Sequence, residues 1–132
     1  MSRYTIKNLK EVEDSAQQFG LAPNIEARFA RKELDGALSG ISYQRLARNF
    51  RMPFGHRHKT QEETYVVLHG SARAKLDDEV VELREWDALR VPPDTMRCLE
   101  AGRDGVELLV FGAGDAGDVE MVQGWWIDEA TV

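Results

Sequence analysis

The feature that most constrains this chain is the run His56-Arg57-His58 followed by Glu63, Tyr65-Val66-Val67-Leu68 and Gly70. Side chains alternate faces along an extended backbone, so two histidines at i and i+2 point the same way. A short polar turn then leads to Glu63, which opens an apolar, β-branched segment that reads as a buried strand ending in a turn at Gly70. The acid therefore projects from rigid structure. His56, His58 and Glu63 form a two-histidine, one-carboxylate set, which suits Fe(II), Mn or Zn and leaves coordination positions open. The competing reading of the same residues is a pocket that holds no ion. Glu62 falls on the opposite face if the strand has already begun, and His69, beside the glycine, reads as a surface histidine.

The spacing resembles the first motif of the cupin family: His-x-His, a Glu five residues after the second His, and a Gly seven residues after the Glu, matched by His56, His58, Glu63 and Gly70. Phe50 stands where that pattern has a Gly. The second motif is partly matched over Trp86 to Arg97. Asp87 and Pro92 agree, Trp86, Asp94 and Ala101 replace two glycines and an asparagine, and Arg97 replaces the histidine that is normally the fourth ligand. The resemblance implies an all-β double-stranded β-helix, a cupin-type jelly-roll barrel, commonly holding one divalent ion (Fe, Mn, Zn or Ni). It also implies a single cupin-like domain over 1–132, with a core of roughly 41–112 on which N-terminal strands and an aromatic C-terminal tail pack. A shared fold hosts many functions, so the resemblance bears on architecture more than on activity.

The strand pattern leads to the same class. Tyr4 to Leu9 alternates weakly and reads as a first strand, and Glu11 to Gln18 as a helical turn. Ile25 to Ala30 and Ile41 to Ala47 alternate clearly. Ala72 to Leu76 and Val80 to Leu83 flank Asp77-Asp78, a hairpin signal that sets Arg73 opposite Glu82, a pair worth about 0.2–1 kcal/mol. Leu89 to Val91 ends at Pro92-Pro93, a new strand runs through Arg97-Cys98-Leu99, and Val106 to Phe111 is the last. Short strands with regular turn signals and no long helix describe an all-β barrel or sandwich.

At 132 residues the chain suits one domain with a core that needs no disulfide, and its single cysteine, Cys98, allows none internally. Met1-Ser2-Arg3-Tyr4 lacks an apolar signal segment, which leads to a cytoplasmic expectation. No stretch is long and apolar enough to span a bilayer, and a net charge of −6 argues against a nucleic-acid surface. The expected partner is a small-molecule ligand, with no nucleic acid and no membrane. Thr64 to Leu68 is apolar on both faces, so its outer side needs cover from the tail Val122 to Ile127 or from a second subunit, and a homodimer is expected.

Arg97 is the most informative departure. Guanidinium has five donors and no acceptor, so it cannot ligate a metal. Three readings stand: it pairs with Glu63 in a metal-free pocket, it binds a substrate carboxylate or phosphate beside a three-ligand ion, or it turns outward. Cys98, on the opposite face, reads as a packing residue. Phe50, Met52 and Phe54 fill core or line the pocket mouth, and Trp125 and Trp126 lid the barrel or lie at an interface. Two functions from different classes follow. One is a divalent-metal-dependent enzyme acting on a small anionic organic substrate, with His56, His58 and Glu63 as ligands, Arg97 orienting the substrate and no catalytic side chain assigned. The other is a metal-free, non-catalytic ligand-binding or sensor module with a Glu63–Arg97 polar pocket.

Overall fold

The structure, a computed structural model, describes residues 3–114 and 116–127. Among the described residues there are eight strands: β1 (Ile25–Phe29), β2 (Ser39–Leu46), β3 (Phe54–Arg57), β4 (Glu62–Leu76), β5 (Glu79–Leu83), β6 (Ala88–Val91), β7 (Arg97–Ala113) and β8 (Glu120–Gln123). All pair antiparallel in one curled sheet, in the order β1-β2-β7-β3-β8, with β4 joined to β5, β6 and β7. Helical structure is limited to 3-10 turns at Leu9–Glu11, Ser15–Phe19 and Ala116–Asp118 among the described residues. None of their helices is long and apolar enough to cross a membrane.

The long strands β4 and β7 are the frame. Alternation along them sends Tyr65, Val67, Ala72 and Ala74 of β4 and Leu99, Ala101, Val106, Leu108 and Val110 of β7 into the barrel, where all are buried with Ile25, Ala27, Leu46, Leu83 and Val91. Full burial of a Val or Leu side chain stabilises by about 1.5–3 kcal/mol, so this aliphatic set supplies most of the drive to close the sheet.

Four sequence expectations need correction. Gly70 does not end a strand: β4 continues through it to Leu76, and the register with β7 shifts between Gly70 and Ala72. Gly70 (φ +81°) faces Gly105 (φ +76°), and a Cβ on Gly70 would sit 2.0 Å from the Gly105 carbonyl oxygen. Two glycines thus let both long strands turn a corner without breaking. The expected strands at 97–99 and 106–111 are accordingly one strand, β7. Nor is that strand the last, because β8 forms from the tail and pairs with β3, Phe54 opposite Gln123 and His56 opposite Met121. Tyr4 to Leu9 makes no strand; Asn8 instead caps the turn at Leu9–Glu11, and Tyr4 and Ile6 are exposed.

The hairpin at Asp77-Asp78 does set Arg73 opposite Glu82, yet the Arg73 guanidinium reaches across to Glu100 at 2.6 Å, an acid already paired with Arg51. In the tail, Trp125 lies against Gly55 and under the Lys75 ammonium at 4.6 Å, and Arg51 stacks over Trp126 at 4.3 Å.

Candidate metal centre

β3 and the start of β4 deliver the site. His56 lies on β3, His58 just beyond its end, and Glu63, the second residue of β4, shares the inward face with Gln61 before it and Tyr65 after it. Nε2 of His56 is 3.1 Å and Nε2 of His58 is 3.4 Å from Oε1 of Glu63. One donor atom from each of the three residues lies within 4.8 Å of the others. Donors bound about 2.0–2.2 Å from one ion at right-angled to tetrahedral spacing are themselves separated by about 3.0–3.5 Å, so the two carboxylate distances fit a shared cation. Glu62 points outward to Arg90 at 3.1 Å, and His69 is exposed beside Glu85.

His58 is buried and gripped from behind. Its Nδ1 is 2.8 Å from Oδ1 of Asp118, whose Oδ2 accepts from the backbone amides of Lys59, Thr60 and Gln61 and from the Thr60 hydroxyl. A carboxylate facing Nδ1 favours the tautomer protonated there and leaves the Nε2 lone pair toward the pocket, as in the carboxylate–histidine pairs that support metal ligands. The Asp118 acid is held well below the usual carboxylate range: burial opposes this, but the amide and hydroxyl hydrogen bonds of Thr60 and the one to His58 outweigh it.

Glu63 shows the same competition. Burial raises its carboxyl pKa, whereas the contacts with His56, Tyr65 and His58 lower it, and the net direction is down. The buried Tyr65 hydroxyl donates to Oε1 at 2.9 Å, and burial together with the Glu63 charge pushes that phenol well above its ordinary value. Gln61 completes the ring, its amide nitrogen 3.3 Å from Nε2 of His58 and 3.4 Å from Oε2 of Glu63.

Arg97 turns inward and is 1% exposed, so the outward reading is excluded. Its terminal nitrogens donate to the carbonyls of His56, Val91, Pro92 and Pro93 at 3.0–3.5 Å. Nε has no hydrogen-bond partner among the described residues and lies 3.9 Å from Oε1 of Glu63, close enough for charge attraction but too far for a hydrogen bond. Cys98 packs against the Met52 carbonyl side of the sheet, and burial lifts its thiol to about 11. Phe50 and Met52 pack on the core.

Sequence reasoning missed Gln61, Tyr65 and Asp118. The first two were within reach, because i±2 from Glu63 on a strand means the same face. Asp118 sits beyond the Gly-rich connector, and no local pattern ties it to His58.

No family model matches the chain. An uncharacterized protein of Methanocaldococcus jannaschii is 38% identical over 45 residues, 34% of this chain and 36% of that protein, so the match spans only about a third of either. Solved structures agree over far more of the length. A cupin protein from Bacteroides fragilis superposes with a TM-score of 0.71 at 22% identity, covering 98% of this chain and 96% of that one. A variant of Streptomyces PAC13, a nucleoside dehydratase, solved with uridine, gives 0.73 at 18% identity over 99% and 98%. Bacillus subtilis oxalate decarboxylase gives 0.73 at 20% identity over 89% of this chain and 33% of that longer one. At such identities the likeness establishes the fold, and the fold is the cupin-type jelly roll expected from the motif.

Proposed function

Proceeding from a small cupin-type domain, we propose that this protein binds a small anionic organic molecule at a divalent-metal centre held by His56, His58 and Glu63. The carrying observation is the convergence of two imidazole nitrogens on one carboxylate oxygen at 3.1 and 3.4 Å, with His58 locked by Asp118. Three protein ligands would leave positions open, and the ion when bound would supply Lewis acidity toward a coordinated oxygen. Tyr65 and Gln61 hold the carboxylate in place. Arg97 contributes a fixed positive charge beside it, which favours an anionic guest, although its terminal nitrogens are already engaged by main-chain carbonyls. Among structures of this fold, PAC13 was solved with uridine and another is an oxalate decarboxylase, which supports a small-molecule guest here.

A metal-free binding or sensor module is the second reading, and one observation favours it: the Arg97 charge lies 3.9 Å from the very oxygen the ion would need. Elemental analysis after incubation with Fe(II), Mn, Zn and Ni separates the two. The metal reading expects about one ion per chain, and stoichiometry near zero sinks it. Assembly as a homodimer belongs to the same proposal, supported by Phe111, 41% exposed, opposite Thr64 on the outer face of β4 and β7. Light scattering should give twice the monomer mass, and a monomer at micromolar concentration would refute it.

A further inference from the structure

With the family's fourth ligand replaced by Arg97, the centre has three donors, yet a fourth side chain already touches two of them. Gln61 is 6% exposed, and its amide nitrogen rests against Nε2 of His58 at 3.3 Å and Oε2 of Glu63 at 3.4 Å. With Nδ1 of His58 directed at Asp118, Nε2 is the acceptor, so the Gln61 NH2 group donates to ligand atoms that a cation would otherwise occupy. The sheet makes room for this side chain: a Cβ on Gly112 would fall 2.8 Å from both Cδ and Oε1 of Gln61.

We infer that Gln61 is the fourth protein donor of the metal centre, its amide turning over on ion binding so that the carbonyl oxygen replaces the NH2 group against the cation. The inference rests on the three-ligand reading above. In the ion-free state the amide satisfies His58 and Glu63 as a donor. In the loaded state the same amide, rotated about its terminal bond, presents a neutral oxygen, a ligand type compatible with Fe(II), Mn, Zn or Ni. Terminal amide torsions are broad and roughly two-fold, so the rotation needs little displacement of the backbone.

The test is calorimetric titration of Zn(II) and Ni(II) into wild type, Gln61→Leu, Gln61→Glu and Gly112→Ala, with thermal melts to confirm folding. Gln61→Leu should weaken binding at least roughly 10–100-fold, since loss of a direct donor should cost no less than loss of an outer group that only supports a ligand. Gln61→Glu should retain or tighten binding, since it keeps an oxygen in place and adds charge. Gly112→Ala, which displaces Gln61 while leaving both histidines and Glu63 intact, should weaken binding as Gln61→Leu does and keeps the test open if Gln61→Leu fails to fold. In wild type, the Gln61 side-chain NH2 resonances should shift on Zn(II) addition as the amide leaves His58 and Glu63. Binding by a folded Gln61→Leu as tight as wild type, or tighter, would overturn the inference while leaving the three-ligand centre standing. Absence of binding by wild type overturns both.

Discussion

The inner face of β4 has two halves of opposite character. From Gln61 to Tyr65 it presents an amide, a carboxylate and a phenol, joined by His56, His58 and Arg97; from Val67 to Ala74 it presents only aliphatic side chains. The two halves lie on one strand, but its alternation changes phase at the corner between Val67 and Ala72, so that Tyr65 and Val67 before it and Ala72 and Ala74 after it all face inward. The aliphatic half closes the barrel without directional bonds, whereas each polar group in the other half needs a partner, and Nε of Arg97 has none. Stability should therefore reside at one end and ligand chemistry at the other.

The largest effect that would test this division is in the aliphatic half. Leu108→Ala, on β7 directly opposite Val67 and 1% exposed, should cost about 2–5 kcal/mol in urea unfolding with metal uptake retained in the folded fraction. Glu63→Gln should do the reverse, abolishing metal uptake at small cost in stability, and a large loss of stability there would break the division. Arg97 tests the border between the halves. Arg97→His should raise metal affinity, since it removes a charge that repels each unit of positive charge about 4 Å away by on the order of 4 kcal/mol at an effective dielectric near 20. It should also destabilise the fold by about 1–3 kcal/mol, because carbonyls of residues 56 and 91–93 lose their donors. Equal affinity in calorimetry would show that the Arg97 charge is not felt at the ligand set.

Asp118→Asn should weaken Zn(II) binding roughly 10–100-fold by releasing the His58 tautomer, with little change in the melting midpoint. Unchanged affinity would leave Asp118 as a loop clamp alone. The smallest effect concerns Cys98. Its thiol rises from 9.0 to about 11 through burial, so the folded state retains a proton that the unfolded state releases. That contribution to stability is complete below pH 9 and is lost as pH rises toward 11. Cys98→Ala should flatten this alkaline limb, and wild type should resist thiol reagents at pH 8.

How far the sequence reveals this architecture differs between the same two halves. Apolar alternation in Ile25 to Ala30 and Ile41 to Ala47 marks strands because burial is a local demand repeated every second residue, and the continuous apolar run Tyr65 to Leu68 marks one buried on both faces. His56, His58 and Glu63 were legible for a similar reason, being close in sequence and fixed in phase. The destinations of Arg97 and Asp118 were not: Asp118 is set by His58, distant in the chain, and Arg97 is held by carbonyls of residues 91–93 and 56, which no side-chain pattern announces. Gly70 misled because a glycine with positive φ signals a turn locally, and only the facing Gly105 makes it a corner within a continuous strand. Arg73 likewise has the expected register but a different ion-pair partner, because Glu100 on the neighbouring strand offers a site already electrostatically organised by Arg51.

The position of β7 has a kinetic consequence. It pairs with β2, β3 and β4, and its register with β2 joins Ser39 to Ala113, so little of the sheet forms from neighbouring segments. The β4–β5 ribbon around Asp77 and the sequential pair β1–β2 are the local exceptions, the ribbon having the shorter connection. Chain-closure entropy must be met before most pairings yield any stabilisation, which places folding in the slow, millisecond-to-second regime of non-local β topologies. The ribbon is then the natural nucleus, and the histidine-bearing β3, held between β7 and β8, is among the last strands to acquire both neighbours, so the end of the barrel that carries the candidate metal centre is assembled late.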